Sequence, residues 1–291
     1  MKNKPDLTII ILTYNSKFWL KKTLETLKEH YLTQAERDVK VVVVDNNSSD
    51  DTLTMVHRSF RWVHTIELTS NNGFSAGNNV ALRQVDSKYV MLLNSDVEFL
   101  DKVSNLDVLL DYMDAHPKVG VITPRLEFAN GELDQASHRG EPDLWASFTY
   151  FSGLESLFPR TKVFGQYHQF YKNLSVAHQI DACSGAAMIV RVSAMKKVGY
   201  LDEQFFMYAE DLDWCKRFRE AGFTIVFNPE VTLIHHKNKS GLHSATKQIA
   251  RETKRHFYDT MLQYYDKHYA ARYPQWVRNS IKYLLFFKKG V

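Results

Sequence analysis

The sequence predicts an α/β protein built on a doubly wound, mostly parallel sheet. Short apolar runs at Leu7–Leu12, Val39–Val44 and Tyr89–Leu93 each stop abruptly in polar residues. Continuous runs of this kind, rather than alternating ones, mark strands covered on both faces. Segments with helical spacing lie between them, and strands alternating with helices imply right-handed parallel crossovers. No apolar run reaches the roughly 18–20 residues that a bilayer span needs, so these runs belong to a globular core.

The elements follow in order. Leu7–Leu12 gives way to Thr13-Tyr14-Asn15, after which Trp19, Leu20, Leu24 and Leu27 recur at helical spacing. Val39–Val44 ends in Asp45-Asn46-Asn47-Ser48-Ser49-Asp50-Asp51, a source of N-caps for a helix to about Arg58. Trp62–Leu68 is a weaker strand. Asn71–Gly77 is a glycine-containing loop leading into a short helix through Gln84, and Tyr89–Leu93 runs into Asn94-Ser95-Asp96. Val119–Thr123 reads as a strand and Pro124–Ser137 as a hairpin turning at Asn130-Gly131. From about Gly140 to His178 the chain is aromatic-rich without a clear period, which predicts a long loop with short helices over the ligand-binding face. Ile180–Val190 reads as one strand interrupted by Ser184-Gly185-Ala186-Ala187, Asp211–Ala221 as a helix, and Thr224–Phe227 and Val231–Ile234 as two strands. The pattern is helical from about Thr246 onward.

Charge is unevenly placed. The net charge is +4, yet the segment from Lys237 to Val291 holds 12 Lys/Arg against 3 Asp/Glu, a net of +9 that leaves −5 for the rest. A mildly acidic body with a basic, aromatic tail predicts an anionic partner for the tail, lipid headgroups or nucleic acid. Cys183 and Cys215 are the only cysteines and form no CxxC pair, which fits a reducing cytosol and argues against structural zinc. Met1–Asp6 leads straight into a strand pattern without the h-region of a signal peptide.

The polar strand ends carry the chemistry. In open α/β sheets the ligand crevice lies beyond the carboxyl ends of the strands. Magnesium and manganese favour oxygen ligands, usually one or two carboxylates plus substrate phosphates. Asp96 is therefore a metal-ligand candidate for a site holding a nucleotide diphosphate, the alternative being an acidic strand-to-loop turn. Asp45 can accept a hydrogen bond from a base or ribose, or cap the next helix. Thr13, Tyr14 and Asn15 face the same crevice. Gly73 and Gly77 allow close backbone approach or positive φ ahead of a helix N-terminus, a weak phosphate signal that an ordinary turn also explains. Glu210, Asp211 and Asp213 crowd a helix start, where they complement the helix dipole or raise one another's pKa and supply a general base. Arg217 and Arg219 lie downstream to pair with these acids. His235 and His236 end another apolar strand and point to opposite sides, so they do not share one metal.

Taken in order, these motifs resemble the family 2 inverting glycosyltransferases of the GT-A fold, and most closely the bacterial rhamnosyltransferase-like branch. The matching pieces are Ile11-Leu12-Thr13-Tyr14-Asn15, Val43–Asp50, Asn72–Asn79 and Leu92–Asp96, then Ser184-Gly185-Ala186, Gly199–Phe206, Glu210–Asp213, and His235 with Ser240. They cover roughly residues 7 to 241. The resemblance implies a GT-A catalytic domain over 1–245, with a nucleotide-binding half at about 1–100 and an acceptor-side half at about 101–245, followed by a basic helical tail over 246–291.

The resemblance also implies roles. The family's metal motif falls on Asn94-Ser95-Asp96, with Asn in place of the first acid, so Asp96 would carry Mn2+ or Mg2+, with Glu98 a helper and His235 a second ligand. Thr13, Tyr14, Asn15 and Asp45 would hold the nucleoside. Asn72, Gly73, Phe74 and Asn78 would line the nucleotide-sugar pocket, with Asn94, Ser95 and Glu210 beside it. Asp211 would be the catalytic base. Lys237, Asn238 and Lys239 replace the usual glycines between His235 and Ser240. The expected reaction is transfer of a sugar from a nucleotide-diphosphate donor, dTDP-rhamnose or a UDP-hexose, to a saccharide or lipid-linked acceptor in cell-surface polysaccharide synthesis. The tail segment Trp276–Lys289 suits an interfacial helix on an anionic membrane, or a terminal helix packed on the body or on a second subunit. The expected location is the cytoplasm, peripheral on the inner face of the membrane. A sugar nucleotidyltransferase would need a glycine-rich Lys/Arg loop after the first strand, which Thr13-Tyr14-Asn15-Ser16 is not. A nucleotide or nucleic-acid binding module would explain the tail but would not need Asp96, Asp211 and His235 at three separate element ends, so no nucleic-acid partner is expected.

Overall fold

Alternate residues of the central strands sort onto opposite faces of one sheet. Ile9, Ile11, Val41, Val43, Met91 and Leu93 pack into one core, and Ile10, Val42, Val44, Val90 and Leu92 into another. The computed structural model describes residues 4–236 and 247–289. Its strands are β1 (Leu7–Thr13), β2 (Val39–Asp45), β3 (His64–Glu67), β4 (Tyr89–Asn94), β5 (Val97–Phe99), β6 (Val119–Glu127), β7 (His178–Ile180), β8 (Ala187–Arg191) and β9 (Thr224–His235). They run in the spatial order β3-β2-β1-β4-β8-β6-β9-β5, with β7 added alongside β9. The β3-β2-β1-β4 half is wholly parallel, as the continuous apolar runs predict. Beyond β4 the sheet turns mixed, because β8 enters antiparallel between β4 and β6.

Helices cover both faces. On the first lie α1 (Lys17–Leu27), α2 (Thr52–Ser59) and α4 (Asp107–Ala115), through Leu20, Leu24, Met55, Val56, Leu109 and Leu110. On the second lie α3 (Gly73–Leu82), α7 (Val192–Val198) and α8 (Glu210–Glu220), through Leu82, Met195, Trp214 and Phe218. Two short helices, α5 (Leu144–Ser152) and α6 (Leu154–Leu157), interrupt the aromatic segment between β6 and β7. The long α9 (Lys247–His268) and α10 (Gln275–Lys289) follow β9, and Pro274 breaks the helical run between them.

The structure departs from the sequence reading in several elements. β9 is one strand rather than two. Its register jumps from Pro124↔Asn228 to Arg125↔Thr232, so Pro229-Glu230-Val231 is a bulge, a position where a proline lacking its N–H is tolerated. The single interrupted strand expected at 180–190 is two, with β7 on β9 and β8 elsewhere in the sheet. β5, α4 and α7 fall where no element was expected. The hairpin at Asn130-Gly131 is present, with Gly131 at φ 81 and Glu127 bridging Leu133.

The end of α9 is tied to the body. Tyr264, Tyr265 and Tyr269 pack with Phe205 and Ala209, and Val277 and Ile281 of α10 pack on that cluster. Lys267 Nζ reaches Asp202 and Asp213, both at 2.6 Å, and His268 meets Asp213 at 2.8 Å. Asp213 is fully buried in α8, so this segment braces that helix from behind. Burial opposes the charge on Asp213, but His268, Arg217 and Lys267 outweigh it and hold the carboxyl at about 2. Among the described residues no helix is long and apolar enough to cross a membrane.

Candidate active site

β1, β2 and β4 end in register, Thr13 beside Asp45 and Leu12 beside Asn94, so their polar termini share one sheet edge. Thr13 and Asp45 are buried there, and Thr13 Oγ1 and Asp45 Oδ1 have no hydrogen-bond partner. The other oxygen of Asp45 accepts from Ser48 N at 3.0 Å. Tyr14 is half exposed. Asn15 sits at φ 50, and its Oδ1 accepts from Ser49 N at 2.7 Å and Asp50 N at 3.3 Å, so its side-chain oxygen knits the loops after β1 and β2 together.

The loop before α3 is equally bound up. Asn46 accepts from Asn72 N at 2.9 Å and donates to Asn71 Oδ1 at 2.8 Å, and Asn71 accepts from Gly73 N at 3.0 Å. Gly73 has φ 77, and a Cβ there would overlap the Phe206 carbonyl, so no side chain fits. Phe74 N donates to that same carbonyl at 2.6 Å, and the Phe74 ring lies against Gly185. Asn78 is buried and donates to the Phe74 carbonyl at 2.9 Å, holding the first turn of α3.

A second cluster sits past β4. Asn94 Nδ2 lies 3.3 Å from His235 Nε2, and Ser95 Oγ donates to Ser16 Oγ at 3.1 Å. His235 Nε2 is also 3.3 Å from Asp96 Oδ1, while its Nδ1 is 2.8 Å from Asp134 Oδ2. Burial disfavours an imidazolium here, but Asp134 and Asp96 outweigh it and raise His235 to about 9. A carboxylate behind an imidazole is the usual way to orient a metal-binding histidine. Among the described residues no three His, Cys, Asp or Glu side chains are arranged to hold a metal. Asp96 and His235 offer two donors, one oxygen and one nitrogen, which suits an ion that completes its shell with diphosphate oxygens and water. Glu98 is not part of this pair. It binds Lys22 at 2.6 Å and His236 at 2.7 Å, and His236 stacks on Trp19. The two histidines thus face different partners. Lys237, Asn238, Lys239 and Ser240 lie outside the described residues.

The third cluster opens α8. Tyr208 and Ala209 adopt φ 71 and φ 64, an uncommon left-handed pair for non-glycine residues immediately before Glu210 and Asp211. Arg139 Nη2 donates to Asp211 Oδ2 at 2.6 Å and to the Cys183 carbonyl at 3.0 Å. Leu212 N donates to the other Asp211 oxygen at 2.7 Å. Glu210 is buried, and its Oε2 has no partner. Burial, then the neighbouring Asp211, push its carboxyl up to about 8. Arg217 pairs with Asp213 as expected, whereas Arg219 does not join these acids and binds Glu141 instead.

These clusters are physically linked. Cys183 accepts from Arg139, and three residues later the Ala186 carbonyl accepts from Asn94 N at 2.9 Å. Phe206, which receives Phe74 N, lies four residues before Glu210. Asp134 and Arg139 had no signal of their own in the sequence, whereas Phe206 closes the Gly199–Phe206 piece. Asp134 is 101 residues from His235 and Arg139 is 72 from Asp211, so only the fold brings them together.

Comparison with known proteins agrees with this architecture. The pattern described as Glycosyl transferase family 2 matches residues 8–199. The N-acetylglucosaminyl-diphospho-decaprenol L-rhamnosyltransferase of Mycobacterium tuberculosis is 27% identical over 274 residues, covering 90% of this chain and 85% of that protein. Rhamnosyltransferase WbbL of Escherichia coli is 26% identical over 264 residues, covering 85% of this chain and 91% of that protein. The mannosyltransferase PcManGT from Pyrobaculum calidifontis, solved with GDP-Man and Mn2+, superposes with a TM-score of 0.59 at 18% identity. That alignment covers 94% of this chain, which spans 66% of the solved structure's length.

Proposed function

The chain belongs to glycosyl transferase family 2 and has its GT-A fold, and from that premise we propose that it is an inverting transferase for a nucleotide-activated sugar. The donor is dTDP-rhamnose or a UDP-hexose, and the acceptor is a hydroxyl of a saccharide carried on a lipid diphosphate. The rhamnosyltransferase relatives support the donor and the lipid-linked acceptor, and the mannosyltransferase structure supports a divalent ion. The observation that carries the reading is a set of buried polar atoms left unsatisfied at the element ends the family resemblance singles out. Thr13 Oγ1 and Asp45 Oδ1 lie at the paired ends of β1 and β2 and Glu210 Oε2 at the start of α8, and burial without a partner costs about 1–3 kcal/mol each. Such groups are retained where a ligand completes them.

In this reading Thr13 and Asp45 hold the nucleoside. Asn15, Asn46 and Asn71 keep the loops around it in place. Asp211 accepts the proton of the acceptor hydroxyl as that oxygen attacks the anomeric carbon opposite the departing diphosphate, which inverts the configuration. Arg139 pairs with Asp211 and fixes one of its oxygens, and a carboxylate retains lone pairs for a further hydrogen bond. Asp96 and His235 would hold Mn2+ or Mg2+, which supplies charge neutralisation to the leaving diphosphate. Since Asp134 and Asp96 favour the protonated imidazole, His235 would have to give up a proton to serve as a ligand.

A thermal-shift panel of UDP, dTDP, GDP and CDP, each with and without manganese, tests this. One diphosphate should raise the melting temperature only with metal, and Asp96→Ala should abolish the shift. A folded protein that responds to none of them would rule the reading out.

A further inference from the structure

We infer that the lobe between residues 140 and 178 docks on an anionic lipid surface. Five apolar side chains stand out from α5, α6 and the turn after them. Trp145 is 43% exposed, Phe148 55%, Leu157 71%, Phe158 48% and Val163 55%. They form one patch. The Trp145 ring lies 5.7 Å from Phe148 and 6.3 Å from Phe164, Phe164 lies 5.5 Å from Phe158, and Trp145 Nε1 donates to the Val163 carbonyl at 2.7 Å. Scattered exposed apolar residues need no explanation, but a contiguous aromatic patch marks an interaction site.

Charge identifies the occupant. Arg160 and Lys162 rise from the same turn, both exposed, and neither is ion-paired among the described residues. The one acid between residues 144 and 164 is Glu155. It is buried and is consumed by His168, through the backbone N at 2.9 Å and Nδ1 at 3.1 Å. The segment 144–164 therefore exposes apolar and cationic side chains and no carboxylate. Aromatic and aliphatic side chains flanked by Arg and Lys match the acyl boundary and headgroups of an anionic bilayer. A second copy of this chain fits less well, because an isologous contact would set one lobe's cations against the other's with no acid between them. The C-terminal α10 packs Val277, Ile281 and Leu285 but exposes Trp276 and Leu284, so variants at those two positions are the control for the lobe.

The lobe leaves the body at Arg139, the partner of Asp211, and returns at β7. Backbone hydrogen bonds between Arg139 and Ala182 pin the two ends together. The root of the lobe is therefore next to Asp211, and a lipid surface held by the lobe would serve a lipid-linked acceptor. That purpose rests on the lipid-linked acceptor reading, whereas the surface itself stands on exposure and charge alone.

The test is co-sedimentation of the full chain with phosphatidylcholine vesicles, with and without phosphatidylglycerol. Binding should require phosphatidylglycerol. The combined Phe148→Ser, Leu157→Ser and Phe158→Ser variant, all at exposed positions, should lower the bound fraction at least about tenfold. Arg160→Glu with Lys162→Glu should lower binding to the phosphatidylglycerol vesicles to the level seen with phosphatidylcholine alone. Both should keep the wild-type melting temperature and its nucleotide response, so a failure here is separable from failure of the transferase reading. Equal binding by wild type and the Ser variant would overturn the proposal. So would loss of binding only with Trp276→Ser and Leu284→Ser in α10, or a patch-dependent dimer in gel filtration without vesicle binding.

Discussion

Around Asp45 the side chains of three loops satisfy one another, and an oxygen of Asp45 and the hydroxyls of Thr13 and Ser75 are left over. Around Glu210 the pattern is reversed. Two carboxylates are adjacent and buried, one guanidinium answers one of them, and the backbone just ahead is held in a left-handed conformation. The proposed donor side is a lattice of amide side chains with a small unmet demand, as suits a surface that only has to bind. The proposed base side holds charge in a place that costs stability, as suits proton chemistry. The two ends should therefore fail differently when mutated.

The largest effect is expected at Asp211. Asp211→Asn should lower kcat about 10³-fold, in the range of a lost general base, while donor KM and the nucleotide-induced thermal shift stay near wild type. The variant leaves Arg139 buried without its counter-charge, which is itself destabilising. Adding Arg139→Gln should therefore recover melting temperature without recovering turnover. Recovery of turnover in the double variant would show that Asp211 matters through structure alone and would erase the contrast.

A smaller, opposite effect is expected at Asp45. Asp45→Ala removes a hydrogen bond to a charged group worth about 1.5–3 kcal/mol, so donor KM should rise about ten- to a hundredfold with kcat little changed. Steady-state kinetics over donor concentration separates the two. A fall in kcat as large as that of Asp211→Asn would mean that the two ends act as one unit.

The two sides also differ in how far the sequence reveals them. Asp45 and Asp96 are legible because each ends an apolar run, and a parallel strand buried on both faces announces itself locally. Asp211 is legible because three acids crowd one helix start. Asp134 and Arg139 are not, since nothing in the hairpin or the turn after it has a period, and their partners are supplied by distant elements. The same cause hides β5, a three-residue strand with no pattern of its own, and splits β9 at a bulge that only pairing with β6 can reveal. The aromatic segment after Gly140 was readable as a lobe of short helices, but its exposed patch depends on which rings face outward.

The smallest effect belongs to Glu210, and its sign is distinctive. Its carboxyl titrates near 8 in the folded protein, chiefly through burial, against a usual value of 4.5. Between those values the folded chain binds a proton that the unfolded chain has released. This contribution is thus fully present below about pH 4.5 and is lost as pH rises toward 8. Glu210→Gln keeps the shape and the neutral state but cannot ionise. Its melting temperature should gain on wild type from pH 5 to pH 8, by on the order of 1 kcal/mol, or about 2 °C, per pH unit. Turnover at neutral pH should change far less than in Asp211→Asn, since the wild-type residue is already mostly protonated there. A gap that stays constant across this range would show that Glu210 is ionised throughout. The base side would then hold two charges answered by one arginine, and its contrast with the donor side would be sharper still.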